Sequence, residues 1–127
     1  MKIIYIAGPL RGRNHWEVAQ NVRNAEYWGF EVAKAGHMPL IPHCIGAHFD
    51  GTLTGEFWLE GTAELLRRCD GAVFIPGWPR SSGSNSEFAI CAERKIPVCD
   101  LDGQLAHSTE IVLAKWLERY SRHGVER

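Results

Sequence analysis

Four short apolar runs recur along the chain, at 2–7, 38–41, 72–75 and 96–99. The first and third are nearly continuous in apolar residues, as strands covered on both faces are. Longer stretches of helical periodicity separate them. Residues 16–34 carry Trp16, Val18, Ala19, Val22, Ala25, Tyr27, Trp28 and Val32 among polar positions, and Gly36 follows as a C-terminal stop. Further helices are predicted over 57–69, 87–93 and 110–120. Strand alternating with helix predicts an α/β fold, a three-layer parallel sheet of four to five strands in flavodoxin-like order. Ligands of such sheets bind beyond the carboxyl ends of the strands. Those ends fall at 8–14, 42–49, 76–84 and 100–103, and three of the four are dense in Gly, His, Ser, Arg or Trp.

Size and charge narrow the picture. The 127 residues suit a single domain spanning 1–127, with the charged tail 119–127 expected to fray. A net charge of −1 removes the broad electrostatic case for a nucleic acid polymer or a membrane surface. The first apolar run is too short for a signal peptide, and no stretch approaches the ~20 apolar residues of a membrane span. Cys44, Cys69, Cys91 and Cys99 lack paired short spacings, which predicts reduced thiols in a cytoplasmic protein.

Two loops carry candidate chemistry. Gly8-Pro9-Leu10-Arg11-Gly12 follows the first strand. Its glycines allow close backbone approach and Arg11 offers a fork of donors, which suits an anion; a tight turn with a solvated arginine is the plainer reading. The second loop, Ser81-Ser82-Gly83-Ser84-Asn85-Ser86, leads into Glu87. A carboxylate in the first turn of a helix stays ionised and, facing a cleft, can act as a nucleophile. Against this, Ser84-Asn85-Ser86-Glu87 has the S-x-x-E spacing of a capping box, in which Glu87 only reaches back to the backbone. Trp78 either stacks on a base or lids its loop. His37, His43, Cys44 and His48 are too loosely spaced for a zinc site and read better as loop residues near a pocket.

The segments "IIYIAGPLRGRN", "AGHMPLIPH" and "LLRRCDGAVFIPGW…SSGSNSEFAICAERKIPV", in that order and spacing, resemble the nucleoside 2-deoxyribosyltransferase-like superfamily. That group includes 2′-deoxynucleoside 5′-phosphate N-hydrolases and many bacterial and phage domains of unassigned function. The resemblance implies an N-glycosidase or deoxyribosyltransferase acting on a nucleoside or its 5′-monophosphate. It implies no cofactor, no metal, and a homodimer or larger assembly. It gives Glu87 the part of nucleophile at the anomeric carbon, and makes Tyr5 its partner or a holder of the sugar. It aligns Gly8 and Arg11 with the family's loop glycine and arginine, and Ser81 with the serine that contacts the 5′-phosphate. From the residues alone, Tyr5 is equally a core tyrosine. One departure stands out: the second acidic residue usual in the family is Thr62 here. Glycoside cleavage commonly uses two carboxyl groups. Asp70 precedes the third strand, at the wrong end of the sheet. His43, His48, Glu56 and Glu60 lie at the right end, and His43 and Glu60 are the candidates for the missing acid. A nucleotide-binding module without turnover is the alternative that explains Thr62.

Overall fold

A computed structural model describes residues 1–45, 49 and 51–124. Its elements are β1 (Ile3–Ala7), α1 (His15–Lys34), β2 (Met38–Leu40), α2 (Gly55–Arg67), β3 (Gly71–Phe74), α3 (Ser82–Arg94), β4 (Val98–Asp100) and α4 (Thr109–Gly124). Short 3-10 turns stand at Pro42–Cys44, Trp78–Arg80 and Ala106–Ser108. The four strands form one parallel sheet in the order β2-β1-β3-β4. This is the α/β architecture the periodicity predicts.

Strand side chains alternate between two cores. Ile4, Ile6, Val73, Ile75 and Cys99 meet Ala25, Trp28 and Val32 of α1 and Leu113, Trp116 and Leu117 of α4. Tyr5, Ala7, Ala72 and Phe74 meet Leu66 of α2 and Cys91 of α3. The sheet is therefore the middle of three layers, with α1 and α4 on one side and α2 and α3 on the other. All four cysteines are free thiols, three of them buried. No described helix is long and apolar enough to cross a membrane.

Helix ends follow local chemistry. Asn14 caps α1 by accepting from the Glu17 N–H, and α1 stops before Gly36, whose φ of +92° is left-handed. Thr54 caps α2 by accepting from the Phe57 N–H. The third helix differs from expectation: it begins at Ser82 instead of Glu87. Ser81 is its cap, accepting from the Ser84 N–H at 3.2 Å, so the serine-rich segment forms its first turns. Ser84 thus lies inside the helix, and no Ser84–Glu87 capping box exists. The fourth helix extends beyond the expected 110–120 through Gly124, so the front of the tail is helical; residues 125–127 lie outside the described residues.

Gly8 follows β1 where a side chain has no room. A Cβ there would stand 2.4 Å from Cγ1 of Ile75, which is fully buried. Gly8→Ala is expected to cost ~1–3 kcal/mol through overpacking, read as a lower midpoint in urea denaturation.

Candidate functional site

Tyr5 and Glu87 are 82 positions apart in sequence, and the Tyr5 hydroxyl donates a hydrogen bond to Glu87 Oε2. β1 sets Tyr5 on the face of the sheet that α2 and α3 cover, and α3 lowers Glu87 onto it one turn before the buried Cys91. Tyr5 is fully buried and Glu87 half-buried. Burial pushes the Glu87 carboxyl up from its ordinary 4.5 to about 7, against the opposing pull of the Tyr5 donor. The Tyr5 phenol is raised too, first by burial and then by the Glu87 charge. Cys91 is pushed up to about 11, mainly by burial and then by Glu87. A half-accessible carboxyl that titrates near neutrality, held by one donor, has the properties of a tuned acid–base or nucleophilic group.

Thr62 belongs to the same cluster. It is half-buried on α2, donates to the Leu59 carbonyl at 3.2 Å, and its hydroxyl lies beside the Tyr5 phenol. The position of the missing carboxylate therefore does face Tyr5. Glu60, two residues earlier, sits on the other side of α2. It is exposed, in an outer surface groove with Phe57, Glu64 and Arg67, so it is not brought to Glu87. Two residues on a helix are about 200° apart, which separates their side chains.

His43 is also placed differently from a proton donor. It is 6% exposed, and its Nε2 is 3.1 Å from both the Gly8 and Pro9 carbonyls. Two acceptors require the proton on Nε2, and that proton is committed to the backbone. Burial lowers the His43 pKa, keeping the ring neutral. Its Nδ1 is buried with no hydrogen-bond partner among the described residues. His48 lies outside the described residues. His37 accepts from the Lys2 N–H, and Cys44 contacts Glu26, so these two residues serve separate surroundings. Among the described residues no group of three His, Cys, Asp or Glu side chains is gathered as for a metal ion.

Trp78 also departs from expectation, being neither a base-stacking residue nor a lid. It is 8% exposed, its ring stacked on Phe88 at 4.8 Å between centroids and edge-on to Phe74. Its Nε1 donates to Asp100 Oδ1 at 2.9 Å. The ring belongs to the core beneath α3. Asp100 and Asp102, which sequence reasoning passed over, hold this corner: Asp100 also accepts from the Asp102 N–H, and Asp102 from the Gly77 N–H. Gly77 takes a φ of +92°, so the turn into Trp78 requires glycine.

The remaining candidates are residues of the two loops and of the first turn of α3. Ser81 is half-buried at the cap of α3, and its hydroxyl proton is still available after its oxygen accepts from Ser84 N. Ser84 is 1% exposed and its Oγ has no partner among the described residues. It precedes Glu87 by three positions, on the same stripe of α3. Gly83 is exposed, and a Cβ there would meet only Ser81 Oγ at 3.8 Å. In the first loop, Gly8 and Pro9 are half-buried and Leu10, Arg11 and Gly12 exposed. Arg13 is paired with Glu17, whereas Arg11 has no ion pair among the described residues. Asn21 of α1 was also missed by sequence reasoning. Its Nδ2 donates to the Leu10 and Arg11 carbonyls, both at 3.1 Å. The one available signal was its place on α1, two turns after the cap Asn14.

Residues 2–100 match the family described as a domain of unknown function, DUF4406. The chain belongs to the DUF4406 family. No curated protein matches this DUF4406 domain. Among solved structures, it is similar to a 2-deoxyribosyltransferase from Bacillus psychrosaccharolyticus, with a TM-score of 0.61 and 19% identity over 81% of this chain and 75% of that one. It is also similar to a conserved protein from Enterococcus faecalis V583, with a TM-score of 0.67 and 21% identity over 91% of this chain and 74% of that one. The DUF4406 domain thus has the nucleoside deoxyribosyltransferase fold, and the superfamily resemblance seen in its motifs holds at the level of architecture.

Tyr5→Phe is expected to remove the donor that favours the Glu87 carboxylate. The Glu87 pKa should then rise above about 7, by ~1 pH unit for the loss of a typical hydrogen bond. A carboxyl titration followed by carbon-13 NMR reads this directly.

Proposed function

We propose that this DUF4406 domain cleaves the bond between base and sugar in a nucleoside or nucleoside 5′-monophosphate, with Glu87 as nucleophile. The observation that carries the reading is the Tyr5–Glu87 hydrogen bond: a half-buried carboxyl drawn away from helix capping and held by a phenol. The likeness in fold to a 2-deoxyribosyltransferase supports it.

In this reaction a Glu87 oxygen bonds to the anomeric carbon while the carbon–nitrogen bond breaks, and the base departs with the electron pair. The transition state has oxocarbenium character. The sugar is left as an ester of Glu87. Water then attacks the same carbon for hydrolysis, or a second base does so for transfer, and the carboxylate is released. Tyr5 orients the attacking oxygen. Arg11 and Ser81 hold a 5′-phosphate where the substrate carries one. With Thr62 in place of a second carboxyl, the departing base receives its proton from solvent, so readily departing bases are preferred. The active assembly in this account is a homodimer or larger.

Thr62 beside Tyr5 also favours the second reading, a nucleotide-binding module without turnover. Incubation with a panel of deoxy- and ribonucleosides and their monophosphates, followed by chromatography for free base, separates the two. Released base supports the first reading. Ligand-induced thermal shifts without released base support the second.

A further inference from the structure

Tyr5 has one hydroxyl proton, and Glu87 Oε2 accepts it. That leaves the Tyr5 oxygen as an acceptor, on a side chain that is fully buried. A buried acceptor calls for a donor. Besides Glu87, the phenol has two polar neighbours, Thr62 of α2 and Cys69 just past the end of that helix. Cys69 directs its thiol proton to the Leu65 carbonyl, at 3.3 Å. Thr62 is the remaining donor of the two. Its hydroxyl also reaches the Leu59 carbonyl, at 3.2 Å. That carbonyl lies inside α2, where the N–H four residues on is its regular partner. The Thr62 proton is therefore not needed at Leu59, and turning it to Tyr5 strands no buried group.

We propose that Thr62 is a positioning residue whose hydroxyl donates to the Tyr5 oxygen and so keeps the phenolic proton on Glu87 Oε2. The inference rests on the proposed function only in making Glu87 the nucleophile. α2, β1 and α3 are then joined by one chain of hydrogen bonds, from Thr62 to Tyr5 to Glu87. Each link strengthens the next, because a hydroxyl that accepts a bond donates a better one. An ionised acid at position 62 has no proton to give, so the departure from the superfamily pattern supplies what a carboxylate cannot. The chain favours the Glu87 carboxylate over the neutral acid. The other titratable groups around it hold one state near neutrality. Cys91 on the same helix and Cys69 are thiols pushed up to about 11, each mainly by burial. The Tyr5 phenol is raised as well, and the acidic residues of α2, Glu56, Glu60 and Glu64, are exposed.

The test is the Glu87 carboxyl titration by carbon-13 NMR in the full chain, in Thr62→Val, Thr62→Ser and Tyr5→Phe, and in the Tyr5→Phe/Thr62→Val double variant. Thr62→Val keeps the shape of the side chain and loses the donor. It should raise the Glu87 pKa by ~0.3–0.7 pH unit, a roughly two- to fivefold weaker acid and part of the effect of one hydrogen bond. Thr62→Ser keeps the hydroxyl and should stay within ~0.2 pH unit of native. In the Tyr5→Phe background Thr62→Val should move the pKa no further, because Thr62 reaches Glu87 only through the phenol. An unmoved pKa in Thr62→Val overturns the inference, since the hydroxyl then serves Leu59 alone. A further rise in the double variant overturns it as well, since Thr62 would then act on Glu87 directly. If Thr62→Val fails to fold, Thr62→Ala takes its place with the same expectations. The titration needs no turnover: the expected pKa pattern without base release would defeat the glycosidase reading alone, and base release with an unmoved pKa in Thr62→Val would defeat this inference alone.

Discussion

Glu87→Gln is expected to abolish base release and, at pH 8, to raise the melting temperature. Both effects have one source. Loss of an enzyme's nucleophile removes most of its rate, here a fall of roughly a thousandfold or more. The stability change follows from linkage. The Glu87 carboxyl sits at about 7 in the folded protein against an ordinary 4.5, so the native state binds more protons than the unfolded state between those values. Stability from this group is complete below about 4.5 and is lost as pH rises to about 7, beyond which the folded protein bears the whole cost of a buried charge. Glutamine carries no charge, and its amide oxygen still accepts from the Tyr5 hydroxyl. The substitution should therefore stabilise the protein at pH 8 by on the order of 1–3 kcal/mol, a rise of ~3–10 °C. The gain should shrink steadily toward pH 5. A thermal melt series of both proteins across that range checks the sign. A glutamine variant that melts lower than native at pH 8 would remove the desolvated carboxylate from the account.

Trp78→Ala is expected to destabilise the fold by ~3–5 kcal/mol, the usual cost of truncating a large core aromatic. The ring fills the space between Phe74 of β3 and Phe88 of α3 and directs its N–H to Asp100. Trp78→Phe keeps most of the stack and loses one hydrogen bond, so it should cost only ~1–2 kcal/mol. Urea denaturation of the two variants measures the difference. A rim tryptophan that stacks on a base would give the reverse pattern, with stability nearly unchanged and substrate affinity lost.

The sheet was legible because its strands are short apolar runs closed by glycine, proline or polar residues, and because helices intervene at regular intervals. The helix phase was legible too: Glu60 and Thr62 lie two apart, and the structure puts them on different sides of α2. What escaped were the places where a tertiary contact overrides a local pattern. Serine is an indifferent helix former, so 82–86 looked like loop until Ser81 proved to be the cap. Two overlapping cap patterns lie there, and the choice between them depends on Glu87 being drawn to Tyr5 across 82 positions. Only the family resemblance connected those two residues beforehand. His43 was recognisable as a histidine at the ligand end of the sheet, but nothing local indicates that two backbone carbonyls occupy its donor. Trp78 posed the same difficulty, since an aromatic residue after a strand suits either a lid or a core until its neighbours are known.

The most direct measurement is intact-mass and peptide mapping of the protein incubated with 2′-deoxynucleosides and their 5′-monophosphates carrying a 2-fluoro sugar, which slows release of a glycosyl ester. An added mass of one sugar is expected on the peptide containing Glu87, absent in Glu87→Gln. An adduct on a different residue, or base release from Glu87→Gln at the native rate, would contradict it.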